Sequence, residues 1–197
     1  MNLQERNRLR NRAHIAQAAL ELFLRDGFDE TTVDAVAQAA GVSRRTFFRY
    51  FETKEAAFFA NQEERLGLFK VMMGGLQNVP RGYPRLRAAC LEMSTQLMAQ
   101  RELALAQHRV TVSSKNLMAY DLQLDQSWEQ VMFEELVADS RDDGSHQMHA
   151  QVWAGAVVGL VRVVLRRWFQ ADAQGDLRAI GEQAFALLER GPLRPPH

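Results

Sequence analysis

The sequence predicts an all-α protein of about nine helices, and three observations lead to this fold class. Apolar residues recur along the chain at the i, i+3, i+4, i+7 spacing that places them on one face of a helix. No segment alternates apolar and polar residues as a half-buried strand would. Glycine, proline and hydroxyl residues separate the periodic segments, at positions where helices commonly begin and end.

Three helices are expected before residue 52. The first ends at Gly27, since glycine commonly follows the last turn of a helix. The second begins at Thr31 or Thr32 and ends at Gly41. The third, RRTFFRYF, follows Ser43, because hydroxyl side chains at the N-cap accept hydrogen bonds from free backbone N–H groups.

Six further helices follow in the rest of the chain. The stretch NVPRGYP (78–84) is the clearest loop, and Pro84 suits the first turn of the helix after it. The tail 191–197, GPLRPPH, is expected to be disordered. The six helices are expected from about 53 to 77, from Pro84 past Leu97, and over about 101–110, 113–139, 145–170 and 176–190.

Composition indicates a soluble globular protein. The 197 residues are 47% hydrophobic and 24% charged, and the lone Cys90 cannot form an internal disulfide, which suits a reducing cytoplasm. The N-terminal segment is too polar for a signal peptide. The most apolar run, 152–165, is too short for a membrane span and contains Arg162. We therefore expect a cytoplasmic protein that has no membrane partner.

Positive charge is concentrated in two places although the net charge is zero. Such local clusters are typical of a phosphate-binding surface, and a solvated helix face would carry them equally well. The first cluster is Arg6, Arg8, Arg10 and Arg12, opposed by Glu5 alone; the second is Arg44, Arg45, Arg49 and Lys54, opposed by Glu52 alone.

The segment TTVDAVAQAAGVSRRTFFRYFETKEAAFF (31–59) carries the most information about function. Two short helices joined by a tight turn at Gly41 are what a helix-turn-helix requires. At 100° per residue, Phe47 and Phe51 share the buried side of the third helix. Arg45 and Arg49 then point away from the core, on a cationic and aromatic face that fits a DNA major groove.

The segment resembles the DNA-binding motif of the TetR family. The threonine pair, A..AGVS, the T-aromatic-aromatic-x-aromatic-F run and the lysine three residues later carry the resemblance, together with the preceding LELFLRDGF. It covers roughly residues 9–60. The resemblance implies DNA contacts by Thr32, Ser43, Arg44, Arg45, Thr46, Phe48, Tyr50 and Lys54, with bases read from the start of the third helix and phosphate met by Thr32, Tyr50 and Lys54.

Two positions depart from the family pattern. Phe48 stands where many members have tyrosine, so it keeps an apolar contact but loses a hydrogen bond to phosphate. Asp34 stands where some relatives carry a cation that reads a base. Phe48 and Tyr50 could also be plain packing residues, and Arg49 a solvated charge.

The resemblance implies a DNA-binding domain over 1–60 and an effector-binding and dimerisation domain over 61–190. The helix over 145–170 is apolar nearly all round, so it must be covered on both sides, by its own core and by a second copy. A central helix in a monomer would show the same pattern. The interface is expected to include Trp153, Gly155, Gly159, Arg162 and Trp168.

The effector site is predicted from methionine and aromatic residues, because methionine adapts to cavities of changing shape. The same residues would also suit an ordinary core. A looser similarity to regulators of acyl-CoA-like ligands suggests that Arg109 or Lys115 meets a phosphate or carboxylate at the pocket mouth. The expected lining is Phe69, Met72, Met73, Met93, Leu97, Tyr120, Trp128 and Met132.

These observations predict a homodimeric regulator that binds a palindromic double-stranded DNA operator and is released by a small hydrophobic effector. The alternatives are a helical interaction protein that does not bind DNA and, among regulators, a multidrug sensor. No motif for catalysis or for a cofactor is recognised, so no enzyme activity is expected. His146 and His149 have a spacing that could bind a metal, but a solvated helix start explains them better.

Overall fold

A computed structural model describes residues 2–138 and 144–190, and within these ranges every regular element is a helix. The predicted tail over 191–197, and residues 139–143 between the helices expected over 113–139 and 145–170, lie outside the described residues. The helices are α1 (Leu3–Asp26), α2 (Val33–Ala39), α3 (Arg44–Tyr50), α4 (Lys54–Phe58), α5 (Ala60–Gly75), α6 (Tyr83–Ala99), α7 (Arg101–Ser113), α8 (Lys115–Val137), α9 (Gly144–Gln170) and α10 (Leu177–Glu189).

The all-α class is confirmed, with ten described helices instead of about nine. The expected fourth helix is interrupted at Phe59, whose backbone leaves helical geometry at φ −89° and ψ 16°. The Phe59 ring is 7% exposed and stacks on Tyr120 of α8, with ring centroids 5.5 Å apart. The break between α4 and α5 therefore coincides with a packing contact between residues that are distant in sequence. The local spacing of apolar residues does not reveal such contacts.

The chain divides into two compact units. One comprises residues 1–65 together with 106–122, and the other comprises 66–105 together with 123–197. The predicted domain boundary lay at 60–61 and left 106–122 with the second domain. In the structure, Ser114 donates a hydrogen bond to the Asp29 carboxylate at 2.9 Å, which joins the start of α8 to the segment after α1.

Aromatic side chains fill the core of the first unit. Phe23 is fully buried, and its ring centroid lies 4.9 Å from that of Phe28 and 5.8 Å from that of Phe58. Tilted and edge-on ring pairs of this kind contribute about 0.5–1.5 kcal/mol each beyond the area they bury. This core holds α1 against α4 and thereby positions the helices between them.

The second unit is built around α9. Ala154 and Val157 are fully buried against residues of α5, α6, α8 and α10. Trp168 is also fully buried, and its indole N–H points to the Gly175 carbonyl oxygen at 3.4 Å. By length and composition alone, α9 is apolar enough over His146–Gln170 to cross a membrane, a property that core helices of soluble proteins share.

Candidate nucleic-acid interface

Hydroxyl caps define the two helices of the expected DNA-binding motif. The Thr32 side chain accepts a hydrogen bond from the Ala35 N–H at 3.1 Å, and the Ser43 side chain accepts one from the Thr46 N–H at 3.1 Å. Each cap satisfies a backbone donor that the helix itself leaves free. Between the helices, Gly41 has φ +63°, a left-handed conformation that glycine adopts at no steric cost.

The faces of α3 follow from its helical spacing. Phe47 and Phe51 are 0% and 2% exposed, so the predicted buried side is confirmed. On the other side Arg45, Phe48 and Arg49 are exposed, and the Phe48 ring lies 5.4 Å from that of Phe47. Phe48 therefore packs against the buried Phe47 ring, while 43% of Phe48 remains accessible to a ligand.

Arg44 and Arg45 begin α3 in different surroundings. The Arg44 guanidinium donates to the Asp34 carboxylate of α2 at 2.8 Å and lies 5.4 Å from the centre of the Phe48 ring. Within the part of the chain that the structure describes, Arg45 has no hydrogen bond or ion pair. Asp34 therefore orients one arginine of the exposed face, while the other extends into solvent.

Tyr50 closes α3 beside the first helix. Its hydroxyl accepts a hydrogen bond from the Asn11 amide at 3.4 Å, and the Arg49 guanidinium lies 5.2 Å from its ring centre. The Asn11 hydrogen bond and the positive charges of Arg49 and Arg8 lower the pKa of the Tyr50 phenol. Arg8, Arg49 and Tyr50 line an open cavity of about 360 Å³. From the sequence, Tyr50 was expected to contact DNA, while Arg8 and Arg49 were named only as members of the two positive clusters and Asn11 was not singled out.

The structure gives Lys54 a role that the sequence did not suggest. Its ammonium group donates to the backbone oxygens of Phe28, Asp29 and Thr31 at 2.7, 3.4 and 3.0 Å, and it lies 4.3 Å from the centre of the Phe28 ring. An ammonium group has three donors, and all three are engaged here. We therefore infer that Lys54 stabilises the turn between α1 and α2 instead of holding a phosphate.

Lys54→Met is expected to lower the free energy of unfolding by about 2 kcal/mol, because the carbonyl oxygens of the turn lose a charged donor. Denaturant unfolding measures this loss. Lys70→Met, on an exposed position of α5, is the control and should change stability little. A Lys54→Met protein of parental stability that binds DNA with a smaller salt dependence would instead support the phosphate contact.

The structure places the predicted effector residues in two core clusters and in both compact units. Phe69, Met73 and Met132 are buried together in the core of the second unit, and Trp128 lies beside them with its ring 5.4 Å from that of Phe69. The half-buried Met93 packs against the same cluster, while Leu97 packs against the core that contains Trp168. Met72 is half-buried on α5.

Two further predicted effector residues belong to the first unit. Tyr120 stacks on Phe59, and Arg109 is exposed on α7. The predicted effector residues are therefore divided between the two compact units, and the effector site stays a prediction.

The predicted interface residues also differ in accessibility. Gly159 is exposed, and Trp153 is 36% exposed with its ring 5.0 Å from that of Tyr83. Gly155 is half-buried, and Arg162 pairs with Asp125 of α8. Trp168 needs a correction, because it is fully buried in its own chain's core and cannot reach a second copy. Periodicity places Trp168 on α9 but does not tell which side of the helix its own chain covers.

The exposed face of α3 is cationic, hydroxyl side chains cap both α2 and α3, and an aromatic core supports these helices. Together these features define a DNA-binding helix-turn-helix regulator. Comparison with known proteins agrees. Residues 15–60 match the family described as bacterial regulatory proteins, tetR family, and residues 83–192 match the MftR C-terminal domain. The chain belongs to the TetR family of bacterial transcriptional regulators, and its relatives are regulators, not enzymes.

Several relatives match nearly the whole chain. A Mycobacterium tuberculosis protein described as the mycofactocin biosynthesis transcriptional regulator MftR is 26% identical over 178 residues, which cover 90% of this chain and 89% of that protein. The HTH-type transcriptional regulator TcmR of Streptomyces glaucescens is 27% identical, with 98% and 87% covered. The solved structure of Thermus thermophilus FadR with lauroyl-CoA is 25% identical, with a TM-score of 0.60 and 94% and 97% covered.

Proposed function

We propose that this chain is a cytoplasmic repressor that binds a palindromic operator as a homodimer and releases it when a hydrophobic, acyl-CoA-like effector binds. The exposed face of α3 carries the DNA-binding part of the proposal. Arg44 and Arg45 begin this face, and guanidinium groups form paired hydrogen bonds with guanine. Thr32, Ser43 and Thr46 lie at the starts of α2 and α3, where hydroxyl groups and free N–H groups can meet phosphate.

An exposed apolar stripe on α9 supports the dimer. Met148, Val152 and Val163 are 69%, 65% and 58% exposed, and Gly159 lies on the same side of the helix. A Cβ atom built at Gly159 would meet nothing within 4 Å, so the chain's own packing does not require glycine there. A helix from a second copy that approached this side closely would require it. A two-fold dimer would present two α3 helices to the half-sites of a palindrome.

The core beside Trp128 supports an effector site in the second unit. Met73, Met93 and Met132 belong to the same hydrophobic cluster as Phe69 and Trp128. Flexible thioether side chains can repack around a guest molecule. FadR of Thermus thermophilus, which was solved with lauroyl-CoA, places acyl-CoA first among the effectors to test. The α7 and α8 helices each contribute residues to both compact units, so a ligand that repacks one unit can change the other.

A gel shift with DNA from upstream of the protein's own gene and its neighbours tests the proposal. The expected result is a complex that survives competition by unrelated DNA and that weakens as salt rises. If no duplex is bound at any salt concentration, the chain is a helical interaction protein instead, and α3 has another partner.

We expect a fatty acyl-CoA to quench tryptophan fluorescence and to lower operator affinity by a coupling free energy of about 1–3 kcal/mol. Operator DNA must weaken acyl-CoA binding by the same factor, because the linkage is reciprocal. Trp128→Phe should remove much of the quenching and keep DNA binding. A response to cationic aromatic compounds alone would identify a multidrug sensor, and a lack of response to acyl-CoAs, fatty acids and these compounds would contradict the effector site.

A further inference from the structure

The first three turns of α1 extend beyond the core of the protein. The helix begins at Leu3, but its first buried residue is Ile15. Leu3 and Leu9 are 72% and 52% exposed, so hydrophobic burial does not hold these turns in place. Three turns of helix are only marginally stable in water when no tertiary contacts support them. Within these turns lie Arg6, Arg8, Arg10 and Arg12.

One side of this extension faces the end of α3. Residues four apart share a helix face, so Arg8 and Arg12 lie on the same side. The Arg12 guanidinium lies 5.0 Å from the centre of the Phe51 ring, and Arg8 lines the open cavity of about 360 Å³ with Arg49 and Tyr50. Two guanidinium groups and one phenol therefore converge on a single space.

We propose that this cavity, the Arg8–Arg49–Tyr50 site, binds a phosphate of the DNA backbone on the flank of the operator half-site. Guanidinium groups donate paired hydrogen bonds to phosphate oxygens, and the phenol hydroxyl can donate a third. DNA is the favoured source of the phosphate because Arg49 lies one helical turn beyond Arg45. The same duplex that meets the start of α3 therefore continues toward the cavity. The inference rests on the proposed DNA-binding function. To the phosphate contact that the family resemblance implies for Tyr50, it adds Arg49 of α3 and, outside the recognition helix, Arg8 of α1.

The test compares Arg8→Gln and Arg49→Gln with the parent in salt titrations on operator and unrelated duplexes. Each variant should reduce the slope of log K against log salt by about 0.9 per bound protomer. The affinity gap between parent and variant should then narrow between 50 and 200 mM salt by about 3.5-fold for each protomer, or about 12-fold for a dimer, equally on both duplexes. Arg10→Gln is the matched control, because it lies two residues from Arg8 on the opposite side of the helix.

Neutral phosphate analogues locate the contact on the DNA. Methylphosphonates placed one at a time across the operator should reveal a flanking position that weakens the parent. The same methylphosphonate should not weaken DNA binding by the double variant Arg8→Gln/Arg49→Gln, because the phosphate charge that it removes no longer has an arginine partner. Circular dichroism confirms that each variant keeps the helical content of the parent.

Three outcomes separate the two proposals. If the parent binds its operator while both variants keep the parental slope, the Arg8–Arg49–Tyr50 site is wrong and the DNA-binding function stands. If the parent binds no duplex, the function itself fails. If inorganic phosphate, titrated at matched ionic strength, saturates NMR shifts at Asn11 and Tyr50, the site binds free phosphate and the assignment to DNA is overturned.

Discussion

Gly159→Glu is expected to split the dimer and to reduce operator affinity about 10²–10⁴-fold, because a monomer loses the advantage of binding two linked half-sites. A carboxylate at this position would be buried without a partner when a second α9 approached, and burying an unpaired charge costs several kcal/mol. Sedimentation velocity at micromolar concentration measures the assembly, and a gel shift measures the affinity.

The fold of each subunit should survive the substitution. Nothing lies within 4 Å of a Cβ atom at Gly159, and glutamate is a better helix former than glycine. Gly67→Glu is the matched control, since Gly67 is also exposed within a helix and its Cβ position is also open. A parent that sediments as a monomer would contradict the dimer, and a Gly159→Glu protein that stays dimeric would place the interface on another surface.

The helix-turn-helix could be predicted from sequence because its determinants are local. Thr32 and Ser43 cap the helices that follow them, and Phe47 and Phe51 are four residues apart on one face. Each of these relations spans four residues or fewer. Spacing alone was therefore enough to locate α3 and to orient its exposed side.

The remaining features depend on contacts between residues distant in sequence. Lys54 meets backbone oxygens more than 20 positions earlier, and Asn11 meets Tyr50 across 39 positions. Trp153 and Trp168 lie on the same helix, yet Trp153 is partly exposed while Trp168 is fully buried. Helical periodicity shows that a residue belongs to an apolar stripe, but not which neighbouring helix covers it. For the same reason, the sequence pattern did not assign the predicted effector residues to one compact unit or the other.

Asp34 illustrates how the structure changes the interpretation of one residue. From the sequence it was an unfavourable charge beside DNA, in a place where some relatives carry a cation. In the structure its carboxylate holds the Arg44 guanidinium at 2.8 Å on the exposed side of α3. Asp34→Asn therefore tests whether this orientation matters. A lower preference for the operator over unrelated DNA indicates that Asp34 positions Arg44, and a uniform rise in affinity indicates repulsion alone.

Arg45→Ala is expected to cost about 1–3 kcal/mol of operator binding per protomer, which is the worth of one good base contact. A dimer carries two copies, so the full loss is about 2–6 kcal/mol if the half-sites act independently. Affinity for unrelated DNA should fall much less, because base contacts supply the specificity and phosphate contacts supply most of the non-specific binding.

Arg45 isolates the contact better than Arg44 does. No hydrogen bond or ion pair of Arg45 occurs among the described residues, so its removal leaves no partner without a charge, whereas Arg44→Ala also frees the Asp34 carboxylate. Arg101→Ala, at an exposed position in the second unit, controls for the lost charge. An operator selected from random DNA should bind the Arg45→Ala protein more weakly, and reselection with that protein should relax one base position in each half-site. A variant that binds the selected operator as tightly as the parent would show that α3 presents a different face to the bases.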